Sequence, residues 1–362
     1  MQMSDRDPPP FWDPESDDVL VCRAVRRQTH DVATFILTAA QPRRFRYTPG
    51  QFMTFTVRID GAEIHRCYTL SSSPSRPDSV AITVKRVPGG PVSNWLHDHL
   101  RPGMDIAALG PMGDFTLDPP RDAAPEKYLF LSAGSGITPV MSMARNLIDT
   151  RFDVDAVFLH SARSPEDLIF ARELAWMAEQ APSFRVRSIC ERDTPQNRWP
   201  GAMGRLDAAL LAREVPDLCD RHVFVCGPEG YRASVRALVG QAGLDMAHFH
   251  EESFDFGVLA AEEPDIPAQI EALDAARHKV SFTRSRREIE CGADTFVLSA
   301  ARAAGMRLPA SCAKGMCGTC KCKLVSGTVD MQHDGGIRQR EIDQGMILIC
   351  CARPTSDLVI ER

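Results

Sequence analysis

Four cysteines near the carboxyl end restrict what this 362-residue chain can fold into. Cys312, Cys317 and Cys320 follow the spacing C-x4-C-x2-C, and Cys350 lies thirty positions beyond the third. This spacing is typical of four thiolates that hold a two-iron, two-sulfur (2Fe-2S) cluster. The residues between the first three cysteines are mostly small, so backbone amides can approach the sulfides. The sequence therefore predicts that the last part of the chain carries electrons.

The sequence leaves two questions open about these thiols. A structural zinc site usually shows two separated C-x2-C pairs, and only one such pair is present here, which makes zinc the weaker interpretation. Cys322 and Cys351 stand beside predicted ligands, so the choice of Cys350 rests on spacing. The other cysteines stand in apolar or strand-like contexts, and we expect them to be packing residues: Cys22, Cys67, Cys190, Cys219 and Cys291.

Chain length and the periodicity of hydrophobic residues predict three domains, because 362 residues are more than one hydrophobic core normally stabilises. Residues 19–120 alternate short β-rich runs with turns, which predicts an antiparallel β-barrel. Residues 126–255 alternate apolar strands with helical periods, which predicts a doubly wound α/β unit. Residues 1–18 are expected to form a flexible tail and residues 256–276 a linker. Residues 277–362 form the final domain with the cysteine loop.

Capping residues predict where two helices begin and end. Ser164 and Pro165 have the residue types of a cap and a first turn, which predicts a helix that begins there. Asp294 is the predicted N-cap of the helix before the cysteine loop, and Gly305 follows its predicted end.

Charge is unevenly distributed, although the net charge is only −6. From Arg277 onward there are 14 Lys and Arg against 9 Asp and Glu, and the preceding residues contain 28 against 39. The basic residues are scattered among hydrophobic strands without interleaved aromatic residues, which favours an acidic protein partner over nucleic acid. The sequence has neither an apolar run of about 20 residues nor the pattern of a secretory signal, so we expect a cytoplasmic protein without membrane contact.

Two phosphate-type features occur in the predicted barrel. "HRCYTLSSSPS" places Arg66 and Tyr68 on one face of a strand, where a guanidinium can bind phosphate and a ring can lie against a flat cofactor. Taken alone, this pattern would be a strand with a surface arginine and a packed tyrosine. "VPGGPVSNWL" then supplies a glycine-rich turn that enters a helix, with Val92 and Ser93 at its start. Together they favour a nucleotide-type cofactor.

The predicted α/β unit contains two small-residue turns that follow strands. "LFLSAGSGITPVMSM" runs from a strand into a helix, whose amino end favours a phosphate. It departs from the G-x-G-x-x-G pattern because Pro139 stands where the third glycine would be, and alone it is weak evidence. "VCGPEGY" is the expected partner turn across the cleft.

These segments resemble the ferredoxin-NADP reductase superfamily, and "CAKGMCGTC" with "LICCARP" resembles a plant-type ferredoxin domain, which has a β-grasp fold. The domain order resembles reductase components of multicomponent oxygenases, most closely Rieske systems that demethylate glycine betaine, carnitine or stachydrine. "MQHDGGIRQREIDQGMILICCARPTSDLVIE" suggests this branch. The resemblance implies that NADH reduces FAD and that single electrons leave through the 2Fe-2S cluster to a terminal oxygenase, docked on the basic ferredoxin domain. FMN and NADPH stay open as alternatives.

The same resemblance implies individual residue roles. Arg66 would bind flavin phosphate, Tyr68 would pack on the flavin ring, Thr69 would approach its reactive N5, and Lys85 would line it. Cys226 would border the nicotinamide, so Thr69 and Cys226 are the predicted catalytic residues. The other implied cofactor contacts are Gly90, Val92, Ser93, Gly134, Gly136, Thr138, Pro139, Gly227, Pro228 and Phe254.

Three further points stay open at the level of sequence. Arg163 stands near the expected position of an adenosine 2′-phosphate but has acidic neighbours, and NADH is favoured only by resemblance. His248 and His250 lack further ligands nearby, so a structural role is expected for both. The alternative functions are an NADH oxidoreductase that serves hybrid cluster protein and a redox-sensing protein without catalytic turnover.

Overall fold

The computed structural model describes residues 8–117, 126–150, 154–252, 277–306, 308, 310, 315–316 and 318–362. Within these residues, each predicted domain has its own sheet and its own hydrophobic core. None of the described helices is long and apolar enough to cross a membrane.

The first domain is an antiparallel barrel with one helix. Its elements are β1 (Val19–Arg27), β2 (Val32–Ala39), β3 (Phe52–Ile59), β4 (Ala62–Thr69), β5 (Val80–Lys85), α1 (Pro91–His99) and β6 (Asp105–Met112). The strand order is β4-β3-β6-β1-β2-β5, and every neighbouring pair is antiparallel. A bridge between Leu70 and Ile82 joins the two edge strands, which closes the sheet. Alternating residues such as Phe35 and Phe55 fill the interior.

Residues 8–18 are packed against this barrel, where a flexible tail was expected. Trp12 is buried, its indole Nε1 donates to the carbonyl oxygen of Gly110 at 2.8 Å, and its ring stacks on Phe45 at 5.5 Å. The acidic, proline-rich composition of this segment predicts flexibility. A single buried tryptophan can nevertheless hold a short segment in place, although the segment has no periodic pattern. Residues 1–7 lie outside the described residues.

The second domain is a parallel α/β unit. Its elements are β7 (Lys127–Ala133), α2 (Ile137–Thr150), β8 (Asp155–Ala162), α3 (Ala171–Gln180), β9 (Phe184–Cys190), β10 (Ala202–Met203), α4 (Ala208–Glu214), β11 (Arg221–Cys226), α5 (Glu229–Gln241) and β12 (Phe249–Glu252). The order β10-β9-β8-β7-β11-β12 is parallel throughout. The order reverses between β7 and β11, and ligands of such sheets bind at this switch point.

Both predicted helix starts are wrong in position. Pro165 opens only the 3-10 turn Pro165–Asp167, because the Ser164 hydroxyl donates to the Asp167 carboxylate at 2.7 Å, and a helix starts only at Ala171. Asp294 lies in the turn that Thr295 closes by donating to Gly292, so the N-cap of the next helix is Phe296.

The third domain contains β13 (Arg277–Phe282), β14 (Arg287–Gly292), α6 (Val297–Ala303), β15 (Lys321–Ser326), β16 (Val329–Met331), α7 (Gln339–Asp343), β17 (Met346–Leu348), β18 (Ala352–Pro354) and β19 (Leu358–Glu361). Its main sheet has the order β14-β13-β19-β15-β17, with β13 and β19 parallel. Gly305 follows α6 with φ of 74°, as predicted for a residue just beyond a helix end.

Candidate functional site

The two predicted nicotinamide turns meet at the switch point of the parallel sheet. Gly136 ends the turn after β7, and a Cβ on it would lie 2.4 Å from the carbonyl oxygen of Cys226. Gly227 is confined less tightly, since its Cβ would meet the Tyr231 ring at 2.9 Å. Gly134 has φ of 54° with open space beside it, so the start of this turn stays accessible. The structure therefore brings together the two turns that the sequence paired across the cleft.

Thr138 and Pro139 lie in the first turn of α2, which begins directly after the Gly134–Gly136 turn. Both are buried, and the Thr138 hydroxyl donates to the carbonyl oxygen of Ser135 at 3.3 Å. The Ile137 amide already donates to the carbonyl oxygens of Gly134 and Ser135, and Pro139 has no amide hydrogen, so a phosphate at this end of α2 would be bound by the amides of the Gly134–Gly136 turn. Pro228 is the N-cap of α5 and follows the second turn.

A buried histidine and a partly buried glutamate flank these turns; the sequence assigned no role to His160, whereas Glu252 belongs to "HEESF", which resembles the segment beside the flavin ring in the superfamily. His160 is fully buried; its Nδ1 lies 2.9 Å from the Ser132 hydroxyl, and burial lowers its pKa to about 4. Glu252 ends β12 in register with Cys226, and burial raises its pKa to about 8. His160 Nε2 and Glu252 Oε2 have no hydrogen-bond partner among the described residues. Both groups are therefore held neutral at pH 7.

The predicted flavin strand is the end of β4. Tyr68 packs against the barrel core with its ring 6.1 Å from that of Phe55, and burial raises its pKa while the nearby Arg66 charge opposes this shift. Arg66 and Tyr68 thus lie close together, as strand alternation predicts. The Arg66 guanidinium donates only to the carbonyl oxygen of His65 among the bonds that the structure shows, at 2.8 Å. Thr69 is buried at the strand end.

The glycine-rich turn enters α1 at Gly90, its N-cap. The Ser93 hydroxyl donates to the Gly90 carbonyl at 3.1 Å and accepts from the Val87 amide at 3.2 Å, so its one hydrogen is already used inside the turn. Val92 has a buried side chain. Both residues can therefore serve a phosphate only through their backbone amides, which lack intrahelical acceptors at this end of the helix.

A cleft of about 440 Å³ separates the barrel from the α/β unit. Lys85 faces this cleft and forms an ion pair of 3.1 Å with Asp31. Arg163 and Arg192 face it from the other domain, together with Glu166. Lys85, predicted to line the flavin, thus shares a cleft with Arg163, which the sequence associated with the adenosine end of the dinucleotide.

Of the four predicted cluster ligands, Cys320 and Cys350 are described and buried. Antiparallel pairing of Lys321 with Leu348 brings the first of these beside the turn that contains the second. Cys312, Cys317 and also Phe254 lie outside the described residues. The two described predicted ligands thus lie on neighbouring segments of the third domain, and their role as iron ligands stays a prediction.

The neighbouring cysteines differ in their surroundings. Cys322 is part of the domain core in β15, and burial raises its pKa to about 12, which suits a packing residue. Cys351 contacts Cys350, and its sulfur would lie 2.8 Å from a Cβ on Gly315. Gly315 and Gly318 have φ of 71° and 70°, so both need glycine in the cysteine loop.

The described part of the cysteine loop contacts the barrel through Met316. Met316 belongs to a buried cluster with Phe52, Cys67, Leu109 and Met112 of the first domain. Because Cys67 stands between Arg66 and Tyr68, the predicted iron site and the predicted flavin strand are neighbours in this structure. The site as a whole offers thiols that can bind iron, and helix amides with a guanidinium that can bind phosphates. The two glycine-containing turns at the switch point leave room for a nicotinamide. These donors fit a 2Fe-2S cluster, a flavin nucleotide and a pyridine dinucleotide.

Three family models match the chain in this order. An oxidoreductase FAD-binding domain matches residues 21–117, an oxidoreductase NAD-binding domain matches residues 130–237, and a 2Fe-2S iron-sulfur cluster binding domain matches residues 280–355. The predicted cofactor classes and the three-domain fold are thereby confirmed.

Two relatives match along almost the whole chain. A glycine betaine monooxygenase reductase subunit from Pseudomonas aeruginosa is 44% identical over 94% of both chains. A stachydrine N-demethylase reductase subunit from Rhizobium meliloti is 35% identical over 97% of this chain and 98% of its own. Among solved structures, phthalate dioxygenase reductase shares the fold, with a TM-score of 0.57 and 24% identity over 97% of this chain and all of its own. This chain therefore belongs to the family of electron-transfer reductase subunits that combine FAD-binding, NAD-binding and 2Fe-2S domains, the family of the glycine betaine monooxygenase reductases.

Proposed function

We propose that this reductase takes electrons from NADH and passes them singly to a Rieske-type oxygenase that demethylates a quaternary amine. The observation that carries the proposal is the full-length match, at 44% identity, to a glycine betaine monooxygenase reductase subunit. When bound, FAD accepts a hydride from NADH and the 2Fe-2S cluster carries one electron at a time, so paired electrons leave singly.

The residues of the chain act by positioning in this proposal. The turns that contain Gly136 and Cys226 would hold the nicotinamide, and Thr69 at the end of β4 would approach the flavin N5. Arg66 would neutralise a flavin phosphate, since the structure shows a bond from only one of its guanidinium nitrogens among the described residues. Cys320 and Cys350, with Cys312 and Cys317, would supply the thiolates for iron. Hydride and electron transfer of this kind need no acid or base from the chain.

The dinucleotide is proposed to be NADH. The cleft offers Arg163 and Arg192, which could bind an adenosine 2′-phosphate, but Glu166 and Asp31 line the same cleft and would repel it. A ribose with free hydroxyls suits this mixed environment better. The test is a comparison of kcat/KM for NADH and NADPH with cytochrome c as acceptor; equal values would leave the proposed selectivity without support.

We further propose that the oxygenase docks on the basic third domain, in the cytoplasm, where cysteine thiols stay reduced. Part of the excess positive charge is used inside the chain, because Arg340 pairs with Asp18 at 2.7 Å. Exposed residues such as Arg286 and Arg302 are the remaining candidates for an acidic partner surface.

The decisive experiment combines the purified holoprotein with the Rieske oxygenase of its own organism. With NADH, O2 and glycine betaine, the proposal requires NADH oxidation and formaldehyde release in equal amounts, since each demethylation consumes one NADH. The coupled rate is expected to fall as salt concentration rises, because the docking charges are exposed. Rapid NADH-dependent cytochrome c reduction without any coupled formaldehyde would instead favour another acceptor, such as hybrid cluster protein. Absence of both would favour a sensing role.

A further inference from the structure

One arginine of the third domain binds the first domain. Arg338 stands just before α7, and only 8% of its surface is exposed. Its guanidinium donates to three backbone carbonyl oxygens of the first domain, those of Pro14, Asp17 and Ala108, the last at 2.9 Å. A buried charge is tolerated only when it is well hydrogen-bonded, and these carbonyl oxygens of the first domain supply the partners of Arg338.

The first two carbonyls belong to an ordered segment, residues 13–18, which we call the amino-terminal strap. The Asp17 amide donates to the Asp13 carbonyl oxygen at 2.7 Å, which folds the strap into a turn. The Asp17 carboxylate forms an ion pair of 2.9 Å with Arg43 of the barrel domain. Trp12, which directly precedes the strap, is hydrogen-bonded to Gly110 of the barrel. The strap is therefore a fixed part of the first domain that presents carbonyl oxygens outward to Arg338.

The geometry is specific for arginine. A guanidinium is a planar fork with five N–H donors, and its Nε and Nη2 are used here toward carbonyls on two separate segments. A lysine ammonium at the same position would keep the charge, but it is a point charge that cannot bridge the strap and β6 in this way.

Two weaker contacts surround Arg338. The Gln339 amide donates to the Glu15 carboxylate at 3.1 Å, and Arg340 pairs with Asp18 at 2.7 Å. The Arg340 and Asp18 side chains are each about half exposed, so their pair contributes little. Arg338 therefore carries most of the polar attachment at this place.

The attachment lies on the same interface as the cysteine loop. Met316 of that loop packs on Cys67 of β4 and on Leu109 of β6, and Arg338 binds Ala108 in the same strand β6. His65 of β4 also lies within electrostatic range of the third domain, because burial and then the positive charges of Lys321 and Arg362 lower its pKa. The strap, the barrel strands and the cysteine loop thus form one continuous contact.

We propose that Arg338 is a positioning residue that, by binding the amino-terminal strap, holds the cysteine loop against the flavin strand and thereby sets the rate of electron passage between them. The proposal rests on the electron-transfer function of this family. Each passage oxidises the flavin by one electron and reduces the cluster by one, and an external acceptor then reoxidises the cluster. One NADH therefore reduces two molecules of a one-electron acceptor.

The kinetic test mixes NADH with oxidised holoprotein and follows the flavin and cluster absorbance bands separately. In Arg338→Ala, flavin reduction by NADH is expected to keep its rate, whereas cluster reduction is expected to slow at least tenfold. Arg338→Lys is expected to resemble the alanine variant. The matched control is Arg287→Ala, because Arg287 is exposed and donates to the Ala304 carbonyl oxygen inside its own domain. This control should keep both rates.

A second readout is independent of turnover. Small-angle scattering of the full-length holoprotein should give a larger radius of gyration for Arg338→Ala than for Arg287→Ala, and amide hydrogen exchange in residues 8–18 should become faster. Trp12→Ala, which loosens the strap from the other side, should reproduce both changes. If Arg338→Ala does not fold, the same measurements on Trp12→Ala and Arg338→Lys test the proposal.

The outcomes separate this proposal from the proposed function. If cluster reduction, scattering and strap exchange in the Arg338 variants all match those of Arg287→Ala, the positioning role is wrong. It is equally wrong if the domains separate while cluster reduction keeps its rate. If wild-type protein reduces no one-electron acceptor with NADH, the proposed function fails, whereas the strap contact is still judged by scattering and exchange.

Discussion

Gly136 and Cys226 come from turns ninety positions apart, and a Cβ on Gly136 would lie 2.4 Å from the Cys226 carbonyl oxygen. The obstructing atom belongs to the backbone, so no side-chain rotation can relieve the contact. The two turns at the switch point are therefore packed as closely as two backbones allow, and any side chain at Gly136 must push β7 and β11 apart at their carboxyl ends.

Gly136→Ala is expected to lower the free energy of unfolding by about 1–3 kcal/mol, as overpacking of a tight site does. It should also lower kcat/KM for NADH at least tenfold, because the nicotinamide cleft changes shape. Thermal unfolding and steady-state kinetics measure the two effects. Gly240→Ala is the matched control: Gly240 lies in α5 with nothing within 4 Å of its Cβ, and alanine there should stabilise the protein slightly. Equal behaviour of the two variants would refute the steric argument.

Arg66→Ala is expected to weaken flavin binding with little effect on the folded chain. Its guanidinium donates only to the neighbouring His65 carbonyl among the bonds shown, so little internal structure is lost. Loss of a charge-assisted bond to a phosphate costs about 1.5–3 kcal/mol, which is roughly a 10–100-fold rise in the flavin Kd. Fluorescence titration of the apoprotein with FAD measures this change. Arg58→Ala in β3 removes an exposed arginine paired with Glu63 and should leave the Kd as it was.

Serine substitutions distinguish ligand cysteines from packing cysteines. Cys350→Ser is expected to lose most of the iron and acid-labile sulfide per chain, because a hydroxyl is a poor substitute for a thiolate ligand. Cys322→Ser should retain both, with a modest loss of stability from a buried hydroxyl, since Cys322 belongs to the domain core. Cys351→Ser decides between adjacent thiols. If Cys350→Ser retains its sulfide and Cys351→Ser loses it, then Cys351 is the iron ligand and Cys350 is not.

Local patterns predicted much of this molecule. The three domain types, the paired glycine turns and the cysteine spacing all follow from short-range features, such as strand alternation and the backbone freedom of glycine. The Gly136–Cys226 contact could be anticipated because parallel sheets bring the carboxyl ends of their strands to one edge.

Other features depend on tertiary context that no local pattern encodes. Arg338 binds Pro14, which is more than three hundred positions away, and the surrounding sequence carries no signal for this contact. Neither Ser164 nor Asp294 caps the predicted helix. The Ser164 hydroxyl donates to the Asp167 carboxylate instead of accepting from a helix amide. Asp294 lies in a turn that is closed by the bond from the Thr295 amide to the Gly292 carbonyl oxygen. His160 lies inside an apolar strand, so its burial could be expected, but the lack of a partner for its Nε2 among the described residues could not.

Glu252 makes the stability of the protein fall as pH rises. Burial raises its pKa to about 8 from 4.5, so between these values the folded state binds a proton that the unfolded state has released. The free energy of unfolding should then decrease by up to about 1.4 kcal/mol per pH unit across this window and level off above about pH 8. Glu252→Gln should lack this pH dependence. In urea unfolding from pH 5 to 9, the free energy of unfolding of the variant relative to that of wild type should therefore increase with pH. An advantage independent of pH would contradict the raised pKa.

His160 acts in the opposite direction, toward acid. Burial lowers its pKa to about 4 from 6.5, so below pH 6.5 the unfolded state binds a proton that the folded state refuses. Its stabilising contribution is complete above pH 6.5 and is lost as pH falls through about 4, by at most about 1.4 kcal/mol per pH unit. His160→Gln, which can keep a bond to Ser132, should lose less stability than wild type between pH 6.5 and 4. Unfolding by urea at several pH values measures this, and histidine NMR titration near 6.5 in the folded protein would show that the imidazole is accessible after all.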